Sequence, residues 1–342
     1  MPARKTMNGV GVVVIGRNEG ERLKACLRSV SGYCKSTIYV DSGSNDGSQA
    51  HASSVGVTVE ALDLSMPFTA ARARNAGWTK LLEDSGNVDC VQFVDGDCTL
   101  SPGWIECGAK FLQSNPDYAA VCGRLREREK DNSIYNRLLD MEWDVPVGET
   151  ASCGGIAMFR LSALQSVGGY NPMLIAGEEP DLCLRLRLND WRIMRLDVDM
   201  GEHDAAMTCF RQWFQRAKRT GHAYAEGAAL HGNTKNRHKV RDVYSGLIWG
   251  GLMPFIAVVS ILLGTWWSWA WLGLFFTVAC WLLLGWRVYR SSRRRGWSAV
   301  DARLFSLFCV LSKVPHSLGI LEYWRNRFLH RQTPLIEYKG SA

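Results

Sequence analysis

The sequence predicts an α/β domain with a doubly wound, mostly parallel sheet, followed by a transmembrane helical hairpin and interfacial helices. Short β-rich apolar runs alternate with helical patterns over residues 1–235, residues 243–286 contain no Asp, Glu, Lys or Arg, and basic clusters flank that uncharged segment. We therefore expect a cytoplasmic α/β domain at 1–235, two transmembrane helices within 236–290, and a basic, amphipathic C-terminal region at 291–342.

The first region begins with the apolar run GVGVVVIG. We interpret it as a strand and not a signal peptide, because the run is short and has no small-residue cleavage site. The remaining elements alternate in the same way, with strands in STIYVD, VTVEAL and DCVQFVD and helices in EGERLKACLRSV, at 49–55 and in AARARNAGWTKLLED. Strands separated by helices favour a parallel sheet, and ligands bind beyond the carboxyl ends of its strands. Asp41 and Asp95, each directly after an apolar run, are expected at that edge.

The uncharged segment is long enough for two membrane spans, since ~20 residues at ~1.5 Å each cross the hydrocarbon core. We place the spans at 246–264 and 269–289, on either side of the corner GTWWSW, whose Trp residues are typical of a membrane interface. Two buried helices in a soluble core are the alternative, but such helices rarely run so long without a charge. The basic flanks KNRHKVR and RSSRRR predict that both large ends face the cytoplasm, at the inner membrane.

The apolar segment 299–328 is interrupted by Asp301, Arg303, Lys313 and Pro315. This pattern favours a pair of interfacial helices over a third span. Eleven cysteines occur without a CxxC pair, which argues against a disulfide framework or a zinc site and fits a reducing compartment. The net charge of +7 is not accompanied by a nucleic-acid motif, so we predict no nucleic-acid partner.

Two acidic turns, VDSGSNDGS at 40–48 and DGD at 95–97, are the first candidates for a site. Alone, each is typical of an ordinary turn or helix cap. Their order is more specific. Asn18-Glu19 comes first, then the turn at 41–46, ARARN, DGD, GEEPDLCLRLRLNDWRI and GEHD. In this series the chain resembles family 2 of the inverting nucleotide-sugar glycosyltransferases, which share the GT-A fold with its Rossmann-like nucleotide-binding sheet. The resemblance covers roughly residues 8–220.

The resemblance implies a nucleotide-diphosphate sugar donor, most often UDP-linked, and a divalent cation. The residues implied in donor binding are Asn18, Glu19, Asp41, Arg74, Asp95 and Gly155, with Asp95 facing the ribose or a metal-bound water and the ribose preferred. Asp97 is the implied metal ligand, and His203 completes the metal shell or touches the diphosphate. Oxygen ligands suit Mg²⁺, whereas an imidazole ligand favours Mn²⁺.

Three acids, Glu178, Glu179 and Asp181, stand where the resemblance implies the catalytic base. The second acid of the pair, Glu179, is the first choice, and the base would take the proton of an attacking hydroxyl. Because Glu is longer than the usual Asp at that position, Glu178 and Asp181 stay open. The acids also suit the first turn of a helix, whose dipole favours negative charge there.

Gln212, Trp213 and Arg216 are candidates for the acceptor side, although a solvated basic helix leading to the membrane explains them equally well. Together the patterns predict a membrane-anchored, metal-dependent, inverting glycosyltransferase that acts on a hydroxyl of a lipid-linked acceptor in cell-surface glycan or exopolysaccharide assembly. The alternatives are a polyprenyl-phosphate sugar synthase, whose ionised acceptor needs no base, and a membrane-tethered nucleotide-sugar-binding protein without catalysis. A nucleotidyltransferase is disfavoured because VIGRNEGERL lacks a Gly-rich phosphate loop.

Overall fold

The computed structural model describes residues 7–85 and 88–331 and divides the chain into two compact units, Met1–Ala206 and Met207–Ala342. The first unit contains the sheet, and the described part of the second is helical. The end of the predicted C-terminal region, residues 332–342, lies outside the described residues.

Nine strands of the described residues form one sheet, namely β1 (Met7–Gly16), β2 (Cys34–Asp41), β3 (Thr58–Ala61), β4 (Val88–Asp95), β5 (Cys98–Leu100), β6 (Tyr118–Glu127), β7 (Gly148–Glu149), β8 (Ala157–Arg160) and β9 (Arg192–His203). Their order is β3-β2-β1-β4-β8-β6-β9-β5, with β7 paired to β9. The first four strands of this order are mutually parallel, as are β6 and β9. The predicted fold class is confirmed, with β5, β7 and β8 as its antiparallel strands.

Both faces of the sheet are covered at its centre. Val12, Val13 and Val14 of β1 are fully buried, and successive residues of a strand point to opposite faces. Seven helices of this unit connect the strands: α1 (Glu21–Val30), α2 (Ser48–Ser54), α3 (Ala70–Ser85), α4 (Trp104–Ser114), α5 (Ile134–Trp143), α6 (Leu161–Ser166) and α7 (Glu178–Leu188). Helix α3 packs on β1 and β2, and α4 packs on β6 and β8. The helices thus supply the cover that a parallel sheet requires.

The second unit consists of six α-helices in its described part: α8 (Phe210–His231), α9 (Val240–Leu247), α10 (Met253–Gly264), α11 (Trp271–Arg294), α12 (Ala299–Leu311) and α13 (Lys313–Phe328). A π-helical turn, Ile248–Leu252, joins α9 to α10, and a 3₁₀ turn, Ser268–Ala270, leads into α11. Helix α8 packs closely on α13. A Cβ atom at Gly221 would lie 2.1 Å from the His316 carbonyl oxygen, so the two backbones approach to a distance that only glycine permits.

Three described segments are apolar and long enough to cross a membrane, judged by length and composition: Val240–Gly264, Ser268–Arg294 and Ala299–Phe328. The first two contain the predicted spans. Helix α11 exposes Leu272, Phe275 and Leu282, the apolar surface that lipid would cover. The third segment is the one interpreted above as interfacial, and that interpretation stays a prediction.

The boundary between the structural units lies before the boundary predicted from the sequence. The first unit ends at Ala206, so α8 belongs to the second unit, although it falls within the predicted region 1–235. Helix α8 has many basic residues but also an apolar face. On that face Trp213 is buried and packs edge-on against Phe308 of α12, with ring centroids 4.9 Å apart. The functional division at residue 235 stays a prediction.

Candidate active site

The carboxyl ends of β1, β2 and β4 meet at one edge of the sheet. In the strand register Gly16 lies opposite Asp41, and Ile15 lies opposite Asp95. Both acids were expected at this edge because each ends an apolar run, and the parallel register brings their strand ends together. The expectation about their placement is therefore correct.

The first two turns at this edge are tied to each other. The Asn18 N–H donates to Ser44 Oγ at 2.9 Å, and Asn18 Oδ1 accepts from the Asn45 N–H at 2.8 Å. Glu19 lies beside the DGD turn, since a Cβ atom at Gly96 would stand 3.2 Å from Glu19 Cγ. The Asn-Glu turn thus links the Asp-rich turn to DGD, while its contact with a donor stays a prediction.

Asp41 organises the Asp-rich turn. Its carboxylate accepts from the Tyr39 hydroxyl at 2.8 Å, from the Gly43 and Ser44 N–H groups at 2.9 and 2.8 Å, and from Gln49 Nε2 at 2.7 Å. Burial by itself raises the pKa of Asp41, but the hydrogen bonds, those from Ser44 first, outweigh burial and lower the pKa below its ordinary value. The acid is therefore ionised and fixes the loop that the donor would meet, and its direct contact with base or ribose stays a prediction.

Arg74 of α3 joins two of the predicted acids. Its Nη2 donates to Asp95 Oδ1 at 2.7 Å and its Nη1 to Glu178 Oε1 at 2.8 Å, while only 2% of the side chain is exposed. Burial by itself lowers the pKa of Arg74, but the neighbouring acids, Asp95 above all, raise the pKa above its ordinary value. The guanidinium is thus a permanently charged clamp between the ends of β4 and α7. Its part in donor binding, at the base or the diphosphate, stays a prediction.

Gly155 leaves room for this clamp. A Cβ atom at position 155 would lie 2.9 Å from Arg74 Nη2 and 3.0 Å from Asp95 Oδ2. Both distances are too short for ordinary contacts, so any larger residue displaces the ion pair. The predicted part of Gly155 in donor binding stays a prediction, and the structure places its backbone directly beside Arg74 and Asp95.

Asp97 and His203 converge on one point. Asp97 Oδ2 lies 3.3 Å from His203 Nε2, and Asp97 is buried. The two residues meet because β5 pairs antiparallel with β9, with Cys98 opposite His203. Cys98 donates its thiol hydrogen to Asp97 Oδ1 at 3.2 Å, and burial raises the pKa of that thiol well above its ordinary value, so it stays neutral. The two residues that the sequence proposed as metal ligands are adjacent in space.

Glu127 orients His203, and sequence reasoning missed it. Its side chain is fully buried, and Glu127 Oε2 lies 3.0 Å from His203 Nδ1. With the proton on Nδ1, that carboxylate accepts a hydrogen bond from the imidazole and the Nε2 lone pair faces Asp97, the arrangement in which histidines bind metals. Trp143 packs edge-on against the imidazole, with ring centroids 4.8 Å apart. Like Asp41, Glu127 is an acid at the end of a strand, and that position could have identified it. It was missed because Arg124 and Arg126 interrupt the apolar run of β6.

A divalent cation fits this pair. Neighbouring ligands of an octahedral ion at about 2.1 Å lie about 3.0 Å apart, close to the 3.3 Å observed between Asp97 Oδ2 and His203 Nε2. One carboxylate and one oriented imidazole suit Mg²⁺ or Mn²⁺, with the nitrogen favouring Mn²⁺. The other ligands of such an ion would come from the donor's phosphates and water.

The three acids of α7 have different partners. Glu179 Oε1 accepts from the Cys153 N–H at 2.6 Å and from the Cys183 thiol at 2.9 Å. Glu178 pairs with Arg74, and Asp181 Oδ2 accepts a hydrogen bond from Arg185 Nε at 2.9 Å and lies 2.8 Å from Arg185 Nη2 in the same ion pair. Only Glu179 lacks a cationic partner among the described residues.

Two thiols adjoin Glu179. Cys153 Sγ and Cys183 Sγ lie 3.5 Å apart, and both side chains are buried. Burial raises the pKa of Cys183 to about 11 and the pKa of Cys153 well above its ordinary value. Both are therefore neutral hydrogen-bond donors near neutral pH.

The residues predicted on the acceptor side lie at the start of α8, in the second unit. Gln212 Oε1 accepts from the N–H groups of Thr208 and Cys209 at 2.8 and 3.2 Å, so Gln212 caps the helix. Trp213 is buried against α12, and Arg216 is half-buried. Their predicted contact with an acceptor stays a prediction.

Two family models match the chain. Glycosyl transferase family 2 matches residues 11–167, and glycosyl transferase family group 2 matches residues 90–284, which is more than half of the chain. Two curated relatives, both described as pre-mycofactocin glycosyltransferase, come from Mycobacterium tuberculosis strains CDC 1551 / Oshkosh and ATCC 25618 / H37Rv. Each is 28% identical over 247 residues, covering 67% of this chain and 50% of the relative. The chain thus spans about half the length of the curated relatives it matches.

Among solved structures, a mannosyltransferase from Pyrobaculum calidifontis in complex with GDP-Man and Mn²⁺ has a TM-score of 0.58 at 18% identity. The match covers 92% of this chain and 89% of the mannosyltransferase chain. At this level of identity the likeness shows the fold, which is GT-A. The fold and the family matches together lead to one conclusion: this chain belongs to the family 2 glycosyltransferases.

Proposed function

We propose that this protein is a membrane-anchored, metal-dependent, inverting glycosyltransferase. It transfers a sugar from a nucleotide-diphosphate sugar, UDP-linked by expectation, to a hydroxyl of a lipid-linked acceptor in cell-surface glycan assembly. The observation that carries this proposal is the convergence of Asp97 and His203 at 3.3 Å, with Glu127 holding the imidazole. An ordinary turn has no need of a buried, oriented acid–imidazole pair directly after a strand.

The donor would lie across the edge formed by β1, β2 and β4. A divalent cation held by Asp97 and His203 would neutralise the charge that develops on the diphosphate leaving group. Asp41 keeps the Asp-rich turn in place, and Arg74 holds Asp95 and Glu178 at fixed positions. These contacts pre-organise the edge, so little rearrangement is needed as the donor reacts.

Glu179 is the proposed base. Both of its hydrogen bonds within the described residues fall on Oε1, which leaves Oε2 to accept the proton of the acceptor hydroxyl. As that proton moves, the acceptor oxygen forms a bond to the anomeric carbon on the face opposite the leaving diphosphate, and the bond to the diphosphate breaks. Asp181 is paired with Arg185, which favours a structural role for it.

The second unit supports a lipid-linked acceptor. It contains three segments that are apolar and long enough to cross a membrane. Within the third, Lys313 Nζ donates to Ser245 Oγ at 3.1 Å, and an ionisable residue in such a segment favours a functional contact with a polar or anionic group. The basic flanks of the hairpin favour a catalytic unit on the cytoplasmic side of the inner membrane.

The test is a screen of UDP- and GDP-linked sugars with a membrane lipid extract as acceptor, in the presence of Mn²⁺ or Mg²⁺. We expect turnover that stops when a chelator removes the cation, and at least a 100-fold loss in Asp97→Ala and Glu179→Gln. Asp131→Asn, an exposed acid in the loop before α5, is the matched control and should keep the wild-type rate.

Each alternative gives a different result in this screen. Full activity of both variants contradicts the proposed chemistry. Activity that needs Asp97 but not Glu179 indicates an acceptor that is already ionised, such as a polyprenyl phosphate. Donor binding without turnover indicates a binding protein. Protease accessibility of the first unit in intact cells tests the cytoplasmic orientation separately.

A further inference from the structure

The thiols beside Glu179 form a cluster with the geometry of a soft-metal site. Cys153 Sγ lies 3.5 Å from Cys183 Sγ, and Cys183 Sγ lies 2.9 Å from Glu179 Oε1. One ligand atom from each residue lies within 4.8 Å of the other two. The two cysteines are 30 residues apart in the sequence, so no metal-binding motif of closely spaced cysteines predicts the pair.

We propose that Cys153, Cys183 and Glu179 form a second, inhibitory metal site that binds Zn²⁺ and thereby occupies the candidate base. With Zn–S bonds of about 2.3 Å and a Zn–O bond of about 2.0 Å, a tetrahedral ion places its sulfurs about 3.8 Å apart and sulfur and oxygen about 3.5 Å apart. Each observed separation differs from these values by less than 1 Å. Three protein ligands therefore form one face of the tetrahedron, and a water molecule completes it.

The charge balance favours this exchange. Zn²⁺ enters with two positive charges, and the Cys153 and Cys183 thiols release two protons to solvent. The two positive charges gained equal the two protons lost, so metal binding buries no additional net charge. Hard Mg²⁺ lacks affinity for thiolate sulfur, so the cluster discriminates against the cation expected at Asp97 and His203.

The consequence for catalysis rests on the proposed function. Zn²⁺ on Glu179 competes with the acceptor's proton for the carboxylate, which blocks the step assigned to the base. Zn²⁺ thus inhibits the transfer without displacing the donor or its cation. The activity of the enzyme would therefore depend on the concentration of Zn²⁺ or a similar soft metal.

Binding is tested with Co²⁺ as a spectroscopic substitute for Zn²⁺, on the full chain in detergent with excess Mg²⁺ and UDP present. We expect an intense sulfur-to-cobalt absorption band that equimolar Zn²⁺ abolishes. The band should be lost in Cys153→Ser and in Cys183→Ser, and weakened in Glu179→Gln. It should persist in Cys90→Ser, a buried thiol outside the cluster, and in Asp97→Ala. Thermal melts identify any variant that fails to fold.

A wild-type protein without the band, or a band that survives both cysteine variants, overturns the site. A titration of the denatured, metal-free protein that finds two thiols fewer before reduction than after it, with no such difference in Cys153→Ser, also overturns it, because a disulfide then explains the pair. Zn²⁺ should lower the Mg²⁺-supported transfer rate at least tenfold, reversibly with a zinc-selective chelator. Each variant is compared with its own zinc-free rate. A bound metal without inhibition leaves the site intact and refutes Glu179 as the base, so the two failures are distinguishable.

Discussion

The contact between Glu127 and His203 allows a sharp test of the proposed cation site. Replacing Glu127 by Gln keeps its size and removes its charge. The wild-type carboxylate accepts two hydrogen bonds, from His203 Nδ1 at 3.0 Å and from the Ala205 N–H at 3.1 Å. A glutamine has one oxygen and one NH₂ group, so in the Glu127→Gln variant one of these donors faces another donor.

The size of the effect follows from the lost bond. A hydrogen bond to a buried charged group contributes about 1.5–3 kcal/mol. Loss of the group that orients a metal-binding histidine typically lowers metal affinity by about 10- to 100-fold, which corresponds to about 1.4–2.7 kcal/mol. The two figures agree, so we expect the affinity for Mn²⁺ to fall about 10- to 100-fold in Glu127→Gln.

Electron paramagnetic resonance of free Mn²⁺ measures this affinity directly, with and without UDP. The matched control is Glu202→Gln, which removes the same charge one residue from His203 at a side chain that is 55% exposed and paired with Arg128. Equal Mn²⁺ affinities of wild type and Glu127→Gln would refute the orienting role. An equal loss in Glu202→Gln would attribute the effect to overall charge and not to the position of the imidazole.

Two further predictions concern packing and pH. Gly155→Ala places a methyl group 2.9 Å from Arg74 Nη2, so we expect a KM for the donor about tenfold higher. An unaltered KM in steady-state kinetics contradicts the close-packing argument. Burial lowers the pKa of His222 on α8 to about 4 in the folded protein. Between pH 6.5 and 4 the unfolded chain therefore binds one proton that the folded chain does not. As the pH falls through this window, the second unit loses up to about 3 kcal/mol of stability. His222→Leu should remove this loss of stability at low pH. If the melting temperature of His222→Leu in detergent falls with pH as much as that of the wild type, His222 is not the cause.

Much of the first unit could be predicted because its signals are local. A valine-rich run such as residues 10–14 packs well only inside a sheet, and the polar turn that follows marks the carboxyl edge. The parallel order β3-β2-β1-β4 then brings Asp41 and Asp95 to one edge without long-range information. The uncharged hairpin is equally local, since its length and composition alone indicate two spans.

Pairing between distant strands was not predictable in this way. The contact of Asp97 with His203 depends on β5 pairing with β9, and Glu127 reaches His203 because β6 lies parallel to β9 in a register that sets the two residues opposite each other. A one-residue slip of either pairing would turn the side chain to the other face of the sheet. Such registers depend on how the whole core packs, and no short stretch of the sequence predicts them.

The acids of α7 show the same limit within one helix turn. Consecutive helical residues point about 100° apart, so Glu178, Glu179 and the nearby Asp181 project into different surroundings although the sequence presents them as one cluster. The surroundings come from other elements: α3 supplies Arg74 to Glu178, and the loop before β8 supplies the Cys153 N–H to Glu179. Spacing alone could predict the Arg185 partner of Asp181 and the Cys183 partner of Glu179, because each follows its acid at i+4. The sequence therefore locates the acids, and the partners contributed by the fold favour Glu179 as the one that accepts a proton.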